Sequence, residues 1–255
     1  MAISLNPTLF DLKPYTVKRE TEQVIDAIFT TRPDDPAAWA AIDAGLLVGC
    51  ISTDKRIYNT GRYEWAFKIE FIDNEYKAYG HREHLEAVKT LRPKYATVRD
   101  LMTPAQCQKD GIEYFSFEQI MTWAEELSQY TQNVIVIPKY DCIEQIPGKF
   151  VLGYSVLTDY GGTPVPVERF KGRRVHLLGG SFAEQLRKIA ELEGGVVSVD
   201  NNHIQLIAQK GDYITPDGRR KTLQNNGLGY LDNIRQVALT LSFGAIIARL
   251  ELERT

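Results

Sequence analysis

Aspartate recurs where apolar runs of this chain end. FID closes on Asp73, KYATVRD on Asp100, NVIVIPKYD on Asp141 and GGVVSVDNN on Asp200. A carboxylate mounted on a strand end can act as a nucleophile, as a general base, or as an acceptor for the N–H groups of its own turn. For any one such aspartate the turn is the simpler reading. Two or more, brought from separate strands into one cavity, would repel each other. Partial burial would then push their pKa values apart and divide them between acid and base roles.

Other polar groups accompany them. Gly153 interrupts an apolar strand, as a bulge or as a place where a flat ligand lies against the backbone. Gly179 and Gly180 precede a helix starting at Ser181, where they form a plain turn or offer N–H groups to an anion. His203, just past Asp200, is a candidate for the same site. His176 reads as a packed polar core residue, and His81 and His84 as surface residues at a helix start. Arg99 alternates to the face opposite Asp100, so the two need not pair. The clusters KGRR (Arg173, Arg174) and DGRRK (Arg219, Arg220, Lys221) are solvated loops or resting places for a phosphate backbone. Tyr140, Tyr154 and Tyr160 could stack on a base.

These groups need elements to position them. Seven candidate strands lie between residues 45 and 209, alternating with amphipathic helices such as HREHLEAVKTL and the Ser-capped SFEQIMTWAEELSQY and SFAEQLRKIAELE. Several strands are apolar throughout, which indicates a parallel sheet covered by helices. The expected fold is α/β, a compact modified (β/α)8 TIM-type barrel, because its strand ends converge on one mouth whereas an open sheet spreads them along an edge. The chain reads as one domain: an N-terminal wrap (1–43) around a short helical TEQVIDAIF, a barrel core (44–210), and a C-terminal helical segment (211–255) with a turn-like PDGRRK and a long helix over 231–253.

Composition narrows the function classes. Of 255 residues, 44% are hydrophobic and 25% charged, and the formal charge of −3 argues against coating nucleic acid by bulk electrostatics. Cys50, Cys107 and Cys142 lie far apart, without the spacing of a zinc site or a disulfide framework. No metal or cofactor is therefore expected. There is no signal-peptide pattern and no apolar run near the ~20 residues that span a bilayer, so a soluble cytoplasmic protein is expected.

Taken in order, FIDNEYK, HLEAVKTLRPKYATVRD, IVIPKYD, FVLGYSVLTDYGGT, RVHLLGG and VVSVDNN resemble the tRNA-guanine transglycosylase superfamily over roughly residues 65–210. The likeness is strongest to its short, phage-borne branch that inserts 7-deazaguanines into DNA. The resemblance implies a DNA-guanine transglycosylase that exchanges guanine for a base such as 7-cyano-7-deazaguanine through an aspartyl-sugar intermediate. Asp200 would be the nucleophile and Asp100 the acid/base. Gly153, Tyr154 and Ser155 would read the base, with Asp73, Asp141, Gly179, Gly180, Asn201 and His203 around the substrate. The target base must leave the duplex stack. Partners implied are DNA, the free deazaguanine and a second copy in a homodimer, in the cytoplasm of a host cell. The Cys-rich zinc site of the tRNA enzymes has no counterpart here. Two other readings remain: an N-glycosidase using the same aspartates with water, and a non-catalytic base-binding partner subunit.

Overall fold

The computed structural model describes residues 25–32, 36–55, 68–157, 162–201, 207, 210, 212–214 and 220–222. Eight strands pair in sequence order: β1 Asp26–Thr30, β2 Leu47–Ile51, β3 Phe71–Asp73, β4 Tyr95–Thr97, β5 Asn133–Val136, β6 Val151–Ser155, β7 Val175–Leu178 and β8 Val196–Asp200. All pairings are parallel, and β8 returns to β1 with Asp200 opposite Ile28, which closes the barrel. The expected α/β barrel is the observed fold.

Around the barrel run α1 Pro36–Asp43, α2 His81–Leu91, α3 Pro104–Asp110, α4 Phe117–Leu127 and α5 Phe182–Glu191. Short 3₁₀ turns, Ile143–Gln145 and Val167–Phe170, stand between β5 and β6 and between β6 and β7. The helices start where side chains satisfy their free N–H groups. Thr103 and Gln106 form a reciprocal cap on α3, while Ser116 and Ser181 accept from Gln119 and Glu184 at α4 and α5.

Alternation along the strands sorts the apolar residues into two layers. Ile28, Phe71, Tyr95, Ile135, Ile137, Val151 and Val197 pack together inside the barrel. Phe29, Val48, Ile72, Ala96, Val134, Val136, Leu152 and Leu177 pack outward against the helices.

Several expectations are corrected. Residues 1–43 are not only a wrap: β1 and α1 form the first β/α unit, and β1 is the seam between β2 and β8. The DAIFT segment, expected to be helical, is strand because Ile28 fills the interior while Phe29 faces the helices. Pairing on both sides outweighs its local pattern. The segment 211–255, expected to be helical, contains β9 Asp212–Ile214 paired antiparallel with β10 Arg220–Thr222, and the turn-like residues 216–219 lie outside the described residues. His84 is not a surface residue. It lies one turn from Val88 on the buried stripe of α2, 1% exposed, with Nε2 donating to the Thr97 carbonyl at 2.6 Å. His81 is half-buried, stacked on Trp123 at 4.6 Å and 2.7 Å from Glu126. The long helix expected over 231–253 and the first half of the strand expected from Trp65 lie outside the described residues.

Candidate functional site

A cavity of about 940 Å³ opens at the C-terminal ends of the strands, and Asp73, Asp100 and Asp200 all line it. Three of the four strand-end aspartates thus meet. How Asp200 comes to face the cavity is not obvious from its strand. Along β8, Val196 packs outward and Val197 inward, and regular alternation would turn Asp200 away from the barrel axis. The pairing of β7 with β8 slips instead: Val175 lies opposite Val196, but His176 lies opposite Ser198. This bulge lets Ser198 face inward, Val199 outward and Asp200 into the mouth.

The Asp200 carboxylate is held from several sides. Oδ1 accepts the Gly179 N–H at 3.1 Å and lies 3.5 Å from His176 Nε2, while Thr30 Oγ1 is 3.4 Å from Oδ2. Gly179 and Gly180 have φ of +60° and +78°, and a Cβ on Gly180 would sit 2.6 Å from Val156 Cγ1. The double glycine is therefore required by its turn. Gln185 of α5 ties the turn to β8 by donating to the carbonyls of Gly179 and Asp200, at 2.9 and 2.8 Å. Asn201 is buried and donates to the Gly180 carbonyl at 3.1 Å, so it braces the turn rather than lining the cavity.

Asp73 sits deeper in the wall. Its Oδ1 accepts from the Asn74 N–H and the Thr97 hydroxyl, both at 2.9 Å. The surface it keeps faces the cavity rather than bulk water. Burial, followed by the negative charge of Asp200, pushes its carboxyl up to about 7, against the pull of the Thr97 and Asn74 hydrogen bonds. Asp73 therefore retains a proton at pH values where an ordinary aspartate has lost it. Asp100 is buried and lies 3.6 Å from the Lys139 ammonium. Arg99 does alternate away from Asp100: its guanidinium donates to the Tyr76 carbonyl and lies 5.4 Å from that ring.

Ser155, Gly179 and Gly180 line the cavity. Other sequence candidates do not. Asp141 points outside and pairs with Arg169 through two contacts of 3.2 and 3.1 Å. The Tyr154 side chain is buried toward the helices, edge-on to Phe170 at 5.1 Å, so its ring is not a stacking platform for a base. Gly153 faces the barrel interior, where Ile137 and Leu178 fill the space that its side chain would need. It makes room for apolar packing, not for a ligand against the backbone. Arg173 and Arg174 lie at the N-terminal end of β7, opposite the mouth. They hold the carbonyls of Ile143, Ile146 and Pro147 and the Asn133 side chain, so they are not placed to steer nucleic acid to this cavity. Arg220 and Lys221 belong to β10, and nothing is described of their side chains. His203, Arg219 and Tyr160 lie outside the described residues.

Lys139, Asn74, Thr97 and Gln106 are not among the site candidates of the sequence, although Asn74 and Lys139 flank the strand ends FID and IVIP. Gln106 lines the cavity and donates to the Lys139 carbonyl at 2.8 Å, joining α3 to the β5 exit. Among the described residues, no group of three His, Cys, Asp or Glu side chains is arranged to hold a metal ion. No helix among them is long and apolar enough to cross a membrane.

A family model described as "Family of unknown function (DUF6610)" matches residues 41–240, and the chain belongs to that family. No curated protein matches it. Among solved structures it is similar to the YdjI aldolase from Escherichia coli K12 (12% identity, 91% of each chain, TM-score 0.49). It is also similar to a phosphoribosyl anthranilate isomerase bound to a reduced carboxyphenylamino-deoxyribulose phosphate (13% identity, 86% of this chain and 98% of that one, TM-score 0.38). Monomeric forms of a dimeric phosphoribosylanthranilate isomerase from Thermotoga maritima give 12% identity, the same coverage and a TM-score of 0.38.

Proposed function

For a chain whose family carries no assigned activity, we propose an enzyme that exchanges a nucleobase at a sugar carbon, with guanine in DNA as the target and a 7-deazaguanine as the incoming base. The observation that carries this reading is the pairing of unlike carboxyl groups at one mouth: Asp73, held protonated up to about 7, shares the cavity with Asp200, whose charge helps hold it so. A proton donor beside an anionic nucleophile is what cleavage of a glycosidic bond to a purine requires.

The steps balance as follows. A lone pair of an Asp200 oxygen forms a bond to the anomeric carbon as the bond to the departing purine nitrogen breaks. The bonding pair goes to the purine, which takes the Asp73 proton. The incoming base then attacks the same carbon with a ring nitrogen, the carbon–oxygen bond of the ester breaks, and its pair returns to Asp200. The proton shed by the incoming nitrogen goes back to Asp73. In this scheme the acid/base role passes from Asp100, where the resemblance put it, to Asp73. Asp100, paired with Lys139, shapes the wall and adds negative potential that keeps Asp73 protonated. The mouth leaves a nucleotide about 940 Å³, ample for a single base and sugar extruded from a stack.

The test is incubation with guanine-containing DNA and 7-cyano-7-deazaguanine, followed by nucleoside mass spectrometry, with Asp200→Asn in parallel. The expected outcome is a deazaguanine nucleoside in the DNA, reduced on the order of 10⁴-fold in the variant. Free guanine and an abasic site would replace exchange by hydrolysis. Neither product, with tRNA also tried, would leave a binding protein and remove the transfer mechanism.

A further inference from the structure

His176 lies inside the barrel, 0% exposed, and among the described residues its Nε2 has no hydrogen-bond partner. A wholly buried polar nitrogen without a partner calls for an explanation. Its surroundings supply one. Nδ1 is 2.8 Å from the Ser198 hydroxyl, the ring stacks on Phe71 at 5.4 Å, and Nε2 lies 3.5 Å from Asp200 Oδ1. Phe71 and Ser198 fix the ring, and the β7–β8 bulge fixes Ser198 opposite it.

The tautomer follows from electrostatics. Were the proton on Nδ1, the bare Nε2 lone pair would face a carboxylate oxygen in a dry interior, which is repulsive. With the Ser198 hydroxyl donating to Nδ1, the proton sits on Nε2 and faces Oδ1 favourably. The two Asp200 oxygens are then unlike. Oδ1 has the Gly179 N–H and, at 3.5 Å, the His176 nitrogen, whereas among the described residues Oδ2 has the long contact to Thr30.

Resting on the proposed reaction, we propose that His176 is a positioning residue that turns Asp200 so that Oδ2 is the attacking oxygen and Oδ1 the one that keeps its donors. In the ester formed through Oδ2, Oδ1 becomes the carbonyl oxygen. When the carbon–Oδ2 bond breaks, its electron pair restores the carboxylate, and the negative charge that returns to Oδ1 meets the N–H groups of Gly179 and His176. Departure of the enzyme from the sugar, not formation of the ester, is the half-reaction His176 favours most.

The test uses the full chain and two readouts. In ¹⁵N-histidine-labelled protein, His176→Phe identifies the His176 resonances by their loss. The expected spectrum shows the proton on Nε2 and an Nε2 shift that moves in Asp200→Asn. A proton on Nδ1, or an Nε2 shift indifferent to Asp200→Asn, overturns the proposal. In the exchange assay, His176→Phe retains the ring that stacks on Phe71. It should lower kcat on the order of 10²-fold, lower the KM for DNA with it because the ester accumulates, and trap protein-bound sugar by mass spectrometry. His176→Gln, which can return an N–H toward Oδ1, should recover part of the rate, and it serves in place of His176→Phe if that variant does not fold. An active enzyme whose kcat is unmoved by either substitution also overturns the proposal. If the unmutated enzyme shows neither exchange nor guanine release while the Nε2 proton still responds to Asp200→Asn, the reaction is lost and the positioning contact stands for whatever chemistry Asp200 performs.

Discussion

At the scale of the residue, the site is a problem in sharing protons among three carboxyl groups. Asp73 lies where burial and the charges of Asp200 and Asp100 act together, and only the Thr97 and Asn74 hydrogen bonds oppose them. If Asp73 delivers the proton to the leaving base, the chemical step requires its protonated form. The rate should then fall as pH rises through about 7. In Asp100→Asn one of the raising charges is gone, so the fall should begin at lower pH. Asp73→Asn should cost roughly 10²–10⁴-fold and abolish this limb altogether. Single-turnover rates across pH for the three proteins check the assignment, and an unmoved limb in Asp73→Asn would remove Asp73 from the role. The aspartates themselves were legible as strand-end residues. Which of them meet was not, because Asp141 follows β5 by several residues and swings out to Arg169.

At the scale of the element, the sequence displayed seven of the eight barrel strands, since wholly buried strands write themselves as unbroken apolar runs. β1 was hidden because DAIFT is short and begins with a charged residue, and its identity is decided by neighbours far away in the chain. The bulge in β8 was equally hidden. VVSVD reads as an ordinary strand, and only the slipped pairing to β7 shows that two successive residues, Val197 and Ser198, both face inward. The double glycine was legible as a turn, but its service to Asp200 depends on that slip. Gly180→Ala would add a Cβ 2.6 Å from Val156 at a φ of +78°. It should destabilise the protein by about 1–3 kcal/mol and displace the Gly179 N–H from Asp200. Urea denaturation measures the first effect, and the exchange rate the second.

At the scale of the whole molecule, two buried groups set opposite demands on pH. Asp73 holds a proton in the folded state up to about 7 but releases it near 3.8 when unfolded. Its contribution is therefore stability that is lost as pH rises between those values. His84 is the reverse case. Burial lowers it from 6.5 to about 4, so the folded state excludes a proton that the unfolded chain binds, and stability is lost as pH falls through that window. Each is worth on the order of 2–4 kcal/mol, and over about pH 5 to 6.5 they offset one another. Urea midpoints should thus vary little there in the unmutated protein, rise with pH in Asp73→Asn, and fall with pH in His84→Gln. Parallel pH profiles in all three would show that neither group carries these shifts. The two groups are joined through one residue: Thr97 donates its hydroxyl to Asp73 and accepts from His84 on its carbonyl, so the mouth and the helix layer share β4.

The slipped residue in β8 also bears on how such a chain can diverge. Losing the single codon for Val199, between the slip and the carboxylate, would move Asp200 into an outward-facing position and rotate the end of the strand by half a turn. Every aspartate, the double glycine and His176 would survive in the gene, yet the carboxylate of Asp200 would face the helices. A descendant could therefore keep the full complement of polar residues and have lost its chemistry, or regain it by one insertion. If Asp200 acts as proposed, the parity of one strand tells more about activity than the presence of its aspartates.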